Sequence, residues 1–574
     1  MTPETIRWRG GPGSGKTYRL VGFVRSEIAD GRSPRDLAIM SFSKSQTLDL
    51  RARIGVLARR DDDCEIRTIH GMVLSACIRA GLVDMGQSKI IAPGERKHLK
   101  HYKTFCDAHD LKFSANVSQD DIDEAVISSH DLLPGNALVA LSTYLRATLR
   151  ENDDWKEAQR EMDISFPAYR YNVTSLLTAW DAYKRENHLL EHEDYIHMAL
   201  REQLPPPAPV LIVDEYQDTS PSQHAVIKQW IDHPDTERVY LAGDEDQSIY
   251  GFRGCDPGLL LSYRAVDRGS GVGSSRPVSR RCPGNVLGLA ESVLGHPGNA
   301  TPVPDREGLI ATISPKGMDD LARQIEDGVI RAGRTEHRGP DVYILCRYGH
   351  YVQELSAGLF AAGIPHTSIR DGRITRWQSI RLGRDRKHYE RDTVDPWALT
   401  CCIRKITDAG FFAPLTLDEA DSLVDALVPE AERKGVRDAI RAKRKRTKYL
   451  VAGDVFQHVA CDQSEAVLGE TNISDDARAA IAACLRREER RGFVIRPDQV
   501  RIDTIHSSKG LEAPVTLLHS GYIKGRLAGL LDAAKAAEER RVYYVGMTRT
   551  SDVLLFLDAF KGNGVTSPIL QEVM

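Results

Sequence analysis

Short apolar runs recur along the chain between stretches of helical spacing. Ile6–Trp8, Asp36–Phe42, Val210–Val213 and Arg238–Ala242 are the clearest in the first half. Apolar runs of this length, bounded by turn residues, are the mark of strands buried on both faces. Their alternation with helices predicts a parallel sheet covered by helices. Val210-Leu-Ile-Val213 carries the strongest signal, with Pro205-Pro-Pro-Ala-Pro209 before it and two acids after it. From Leu82 to His197 the strand signal fades into polar, helix-rich sequence, which reads as a helical insertion; the alternation resumes at Val210. A second such region opens near Arg276 and contains the strand-like Asp341-Val-Tyr-Ile-Leu-Cys346. It gives way to basic, helical sequence at 371–496 and returns at Val500-Arg-Ile-Asp-Thr504. The expected architecture is α/β, with two parallel-sheet units each interrupted by a mostly helical insertion.

Composition agrees with a multidomain globular chain: 574 residues, 41% hydrophobic and 28% charged. No apolar run approaches the roughly 18 residues that span a bilayer. The N-terminus enters a strand instead of a signal peptide, so a cytoplasmic protein without a membrane partner is expected. Ten cysteines without a C-x-x-C pair point to reduced thiols rather than to disulfides, zinc or an iron–sulfur cluster. Cys106-x-x-His109 and Cys401-Cys402 are assigned to packing. A net charge of -4 does not advertise a nucleic-acid binder, but the distribution matters more than the sum. Arg433 to Lys448 holds nine basic residues and one acid, and Arg373 to Arg391 is a second basic region with Trp377 and Tyr389 interleaved. Such runs either neutralise phosphates or form solvated helix faces.

Candidate chemistry begins at Gly10-Gly-Pro-Gly-Ser-Gly-Lys-Thr17, which fits G-x-x-x-x-G-K-[ST] between a strand and a helix. Its glycines let backbone N–H groups turn toward one anion, and the following helix adds its positive N-terminus. Lys16 is placed to reach the outer phosphates and the Thr17 hydroxyl to ligate Mg²⁺. Asp214 and Glu215 follow a buried strand at the edge where ligands bind in open α/β sheets. There Asp214 suits Mg²⁺, and Glu215 suits orienting or deprotonating the attacking water. A little downstream lies Gly243-Asp-Glu-Asp-Gln-Ser-Ile-Tyr-Gly-Phe-Arg-Gly254.

These segments resemble the motifs of UvrD/Rep-type superfamily 1 helicases, in that family's order. Gly10–Thr17 is similar to motif I, Ser41-Phe-Ser-Lys44 to Ia, Thr68-Ile-His-Gly-Met72 to Ib, Asp214–Asp218 to II and Gly243–Gly254 to III. Ser279-Arg-Arg-Cys-Pro283 resembles motif IV, Thr504–Glu512 motif V and Glu538–Arg549 motif VI. The resemblance implies two RecA-like P-loop NTPase domains: 1–81 with 198–274, and 275–370 with 497–574, with helical insertions at 82–197 and 371–496. It implies ATP and Mg²⁺ as cofactors, and single-stranded DNA or duplex with a single-stranded tail as partner. Gly10, Gly11, Pro12, Gly13, Ser14, Gly15, Lys16 and Thr17 would cradle the nucleotide, with Arg280 at the base and Glu512 at the ribose. Thr17 and Asp214 would hold the metal. Lys16, Glu215, Gln247, Arg281 and Arg549 would be catalytic, the arginines answering charge on the γ-phosphate from the second α/β unit. Phe42, Tyr250 and Phe252 would stack bases, with His70, Arg253 and His506 as polar contacts.

Some positions depart from the family pattern. Only nine residues precede Gly10, leaving no room for the segment whose glutamine contacts adenine in relatives, and Arg280 stands where relatives have an aromatic. Weak discrimination among nucleoside triphosphates is expected. Motif Ia has Lys44-Ser45 in place of the usual Asn-Lys. The 25 residues after Arg549 are too few for a C-terminal nuclease domain, as expected of a small, phage-, plasmid- or archaeal-like member. The expected activity is an ATP-driven 3′ to 5′ DNA helicase, with a protein-stripping translocase and an ATP-gated binding module as alternatives.

Overall fold

The computed structural model describes residues 3–54, 65–92, 97–114, 132–162, 164, 166–269, 276–334, 337, 339–369, 375–381, 393–428, 430–458, 467–558 and 565–574. Met1–Gly308, Ile523–Thr548 and Pro568–Val573 form one compact unit; Leu309–Tyr522, Arg549–Ser567 and Met574 form the other.

The first unit is built on a six-stranded sheet of β1 (Glu4–Arg9), β2 (Leu37–Ser41), β3 (Glu65–Thr68), β4 (Val210–Val213), β5 (Arg238–Gly243) and β6 (Val266–Gly269). The order is β3-β2-β4-β5-β1-β6 and every pairing is parallel. Side chains alternate strictly between the two faces, as the pleat requires. Ala38, Met40, Leu211, Val213, Val239 and Leu241 pack under the helices Ile69–Arg79, His192–Arg201 and Pro221–Ile231. Leu37, Ile39, Val210, Ile212, Tyr240 and Ala242 face the other way, onto α1 (Lys16–Ala29) and the helix Lys44–Ile54. Burial on both faces is why these strands read as unbroken apolar runs.

Residues 82–197 are largely helical where described, with helices Leu99–Ala108, Pro134–Ala147, Trp155–Glu161 and Val173–Glu186 around Tyr102, Phe105, Leu138, Leu141 and Trp180. Inside this insertion the Lys184 ammonium, 2% exposed, lies 2.9 Å from Glu191 and 3.0 Å from Asp194.

The second unit has its own all-parallel sheet of β7 (Leu309–Ile313), β8 (Val342–Cys346), β9 (Thr367–Ser368), β10 (Val500–Thr504), β11 (Ala513–His519) and β12 (Thr550–Leu557), in the order β7-β12-β11-β8-β10-β9. Its insertion is a helical core in which Pro396–Ala409, Leu417–Leu427, Glu430–Thr447 and Asp475–Arg491 bury Leu399, Leu423, Val436, Ile440 and Ile481.

Three sequence readings shift. The second sheet starts at Leu309 rather than near Arg276, because 276–308 contributes only the two-residue pairing of Val278–Ser279 with Thr301–Pro302 and packs within the first unit. Arg281 therefore stands in the same unit as the P-loop and not in the second. Trp377 is fully buried and packs edge-on against Phe360, 5.3 Å between ring centroids, so it is core rather than a stacking face. Arg373, Tyr389 and Arg391, from the same basic region, lie outside the described residues. Cys106 and Cys402 are buried, which pushes both thiols up, Cys106 to about 12.

Candidate functional site

Strand register gathers the motifs of the first unit along one sheet edge. Arg9 pairs with Gly243 and Met40 with Val213, so Gly10, Phe42, Asp214 and Asp244 all leave the sheet at the same end. The P-loop turns at Gly13, whose φ of 71° and distance of 2.7 Å from a hypothetical Cβ to the Arg281 nitrogen leave no room for a side chain. Gly15, at φ 83°, caps α1. Lys16 is buried and donates to the Gly10 carbonyl at 2.9 Å. The Ser14 hydroxyl is buried without a hydrogen-bond partner. An anion in this cradle would satisfy that hydroxyl and draw Lys16 off the carbonyl.

Across the loop, the Thr17 hydroxyl lies 3.2 Å from Asp214 Oδ2. Among the described residues no three His, Cys, Asp or Glu side chains form a metal cluster. One hydroxyl and one carboxylate, completed by phosphate oxygens and water, is a donor set that suits Mg²⁺. Burial, then the Glu215 charge, pushes Asp214 up to about 7, against the pull of Lys16. Glu215 has φ 55°, left-handed for a non-glycine residue, a strain that collects at functional sites.

Behind these acids runs a polar network. Gln217, fully buried, donates to Glu215 at 2.5 Å and accepts from the Asp244 N–H at 3.0 Å. Asp244 accepts from Gln247 at 2.5 Å and from Asn299 at 2.8 Å, and the Asn299 carbonyl accepts the Gly11 N–H at 2.8 Å. Burial, then Asp244 and Glu245, pushes Asp246 up to about 8. Gln217 and Asp244 lie inside motifs visible in the sequence but without an assigned role. Asn299 lies outside every motif and has no sequence signal.

The remaining nucleotide candidates divide between the units. The Arg280 N–H donates to the Gly13 carbonyl at 3.0 Å with its side chain exposed, and Arg281 is half-buried against Gly13. Pro12 is buried beside them. In the second unit Arg549 is fully buried and donates to the Leu511 carbonyl at 3.2 Å, next to the exposed Glu512. His506, half-buried, opens the turn after β10.

The nucleic-acid candidates of the first unit form a row. Phe42 and Tyr250 stack at 5.0 Å and 24°, and Tyr250 meets Phe252 at 6.1 Å and 61°. The Arg253 guanidinium lies 5.3 Å from the Tyr250 ring and 5.8 Å from the Phe252 ring. Phe252 also packs on the core of the first helical insertion. Glu538 accepts the Gly251 N–H at 2.9 Å, fixing the turn. His70 lies 3.3 Å from the Glu193 carboxylate and 5.1 Å, ring to ring, from His192. Burial works to raise Glu193, but His70 and Ser222 hold it below the usual carboxylate range. A row of half-buried aromatic faces with a guanidinium is suited to unpaired bases.

Comparison with known proteins gives the same family. Residues 5–265 match the UvrD/REP helicase N-terminal domain and 469–559 the UvrD-like helicase C-terminal domain. The chain is 22% identical to the ATP-dependent DNA helicase Rep of Salmonella typhimurium over 95% of this chain and 87% of that protein. It is 22% identical to the ATP-dependent DNA helicase PcrA of Leuconostoc citreum over 96% and 79%, and 21% identical to PcrA of Bacillus subtilis over 96% and 80%. With both domain matches in order and the segments resembling motifs I to III on one sheet edge of the first unit, the chain belongs to the UvrD/Rep-type superfamily 1 helicases.

Proposed function

We propose that this protein is an ATP-dependent DNA helicase that moves 3′ to 5′ along single-stranded DNA and separates duplex ahead of it, in cytoplasmic replication, repair or recombination. The observation that carries this reading is the single segment Gly243–Gly254. It holds Gln247 in the network behind the ATP site and Tyr250, Phe252 and Arg253 in the aromatic row. A motor needs its two sites tied by one short mechanical link, and this segment supplies it.

In this reading Lys16 and the loop Gly10–Thr17 bind the phosphates, and Thr17 with Asp214 would hold Mg²⁺, which offsets phosphate charge. Glu215 orients and deprotonates the attacking water, and Arg281 and Arg549 answer the charge that spreads over the γ-phosphate in the transition state. Gln247 reports the γ-phosphate to the DNA row. Arg280 and Glu512 meet the base and ribose; His70 and His506 contact the strand that Phe42, Tyr250 and Phe252 stack. The sheet of the first unit and the sheet of the second, which starts at Leu309, are read as two RecA-like domains, with 82–197 and 371–496 as their insertions. Duplex with a 3′ single-stranded tail is the substrate.

The test is ATP hydrolysis with and without single-stranded DNA, followed by unwinding of 3′- and 5′-tailed duplexes. Strong stimulation and loss of only the 3′-tailed duplex is expected. Stimulation without strand separation would instead identify a translocase that strips proteins. Lys16→Ala is expected to abolish nucleotide binding, and Glu215→Gln to retain binding while lowering turnover by about 100-fold or more. Near-normal DNA-stimulated hydrolysis in either variant would refute the site.

A further inference from the structure

We infer that Gln217 is a positioning residue for hydrolysis, which holds the Glu215 carboxylate in place and ties it to the loop that carries the DNA row. This rests on the reading of Glu215 given above. The orientation of the Gln217 amide follows from its partners. A backbone N–H can only donate, so the Asp244 N–H at 3.0 Å fixes the Gln217 oxygen on that side. The amide nitrogen is then turned to Glu215, 2.5 Å away, and also approaches Asp218 Oδ2 at 3.5 Å. Glu215 is thereby held as a hydrogen-bond acceptor, the state a group needs to take a proton from water.

The backbone around it is shaped to keep this arrangement. Glu215 sits at φ 55°, a strained conformation that persists only when its surroundings over-determine it. A Cβ on Gly243 would lie 2.6 Å from the Gln217 oxygen, so a side chain there would push the amide out of this position. The Ser248 hydroxyl donates to the Gln217 carbonyl at 3.0 Å, two residues before Tyr250. Both ends of Gln217 therefore grip the segment Gly243–Gly254: its side chain through Asp244, its backbone through Ser248. A shift of that segment when DNA occupies the aromatic row moves the amide that orients Glu215.

The test is a double-mutant cycle of Gln217→Met and Glu215→Gln, with melting temperature and nucleotide affinity measured beside DNA-saturated hydrolysis. Gln217→Met keeps the shape and removes both hydrogen bonds. The expected result is a fall in kcat of about tenfold or more, with KM for ATP within about twofold. In the Glu215→Gln background the same substitution is expected to add no further loss, because Gln217 acts through Glu215. A folded Gln217→Met protein with kcat within about twofold of the parent overturns the inference, as does an equal proportional loss in both backgrounds. If the Met variant does not fold, Gln217→Glu serves in its place: it keeps the acceptor for Asp244 and loses the donor to Glu215, with the same outcomes. Glu215→Gln hydrolysing normally would instead remove the site assignment on which the inference stands.

Discussion

At the scale of single residues, the edge proposed for ATP is dominated by carboxylates that burial holds uncomfortably close. Asp214, Asp244 and Asp246 are all buried, Asp244 and Asp246 against Asn299 and Asp214 against Thr17, and all three are raised. Asp246, pushed up to about 8 by burial first and by Asp244 and Glu245 next, gives a checkable consequence. The unfolded chain loses this proton near pH 4, whereas the folded protein keeps it to about 8. Its contribution to stability is thus fully present below about pH 4 and is lost as the pH rises through about 8. Asp246→Asn mimics the protonated form. Its melting temperature is expected to exceed the parent's at pH 8 and to approach it at pH 5, in nucleotide-free melts across that range. An advantage that stayed constant with pH would show that Asp246 is ionised in the folded protein.

At the scale of elements, helices of the first insertion are held by a buried charge network as well as by apolar packing. Glu191 accepts from Tyr102 at 3.0 Å, Trp180 at 3.2 Å and Lys184 at 2.9 Å, while Arg146 lies 2.7 Å from Asp194. Lys184→Met would leave Glu191 without its cation in a buried setting, and a loss of about 3–5 kcal/mol in urea unfolding is expected. A change under about 1 kcal/mol would mean that the carboxylates relax to water. How much of this architecture is legible in the sequence depends on what each element buries. Val210–Val213 and Val342–Cys346 are buried along their whole length, so their apolar runs stand out in the sequence. The two-residue strands Val278–Ser279 and Thr301–Pro302 bury too little to leave a pattern, and for that reason the segment joining Arg276 to Leu309 reads from sequence as part of the wrong unit. Trp377 shows the converse: the basic residues around it set the apparent character of its segment, yet its ring is core. The P-loop and both motif acids are legible because their chemistry demands particular residue types at fixed spacing. Asn299 is not, because a residue that meets Gly11 through its backbone carbonyl and Asp244 through its side-chain amide, across distant sequence, obeys no local spacing.

At the scale of the whole molecule, a net charge of -4 conceals a chain whose cations are used in two different ways. In the basic helix Glu430–Thr447 some are spent internally: Arg433 donates to the Val428 carbonyl at 2.9 Å, Arg441 lies 2.9 Å from Asp421, Arg437 pairs with Asp425 and Lys443 with Asp454. These bonds fasten the helix to the insertion core, where Val436 and Ile440 are buried. Arg444, Lys445, Arg446 and Lys448 are different: they are exposed and, among the described residues, have no ion pair, with the exposed Tyr449 beside them. Four like charges crowded at a helix end repel one another, a cost that a row of phosphates would reverse. Replacing all four with glutamine is expected to leave hydrolysis stimulated by short single strands near the parent level, since none belongs to the ATP edge or the aromatic row. Affinity for tailed duplex should fall, and the slope of log affinity against log salt should shrink by about 0.9 for each duplex phosphate that is no longer neutralised. An unchanged slope would assign this end of the helix to solvent and leave the duplex to other surfaces of the chain.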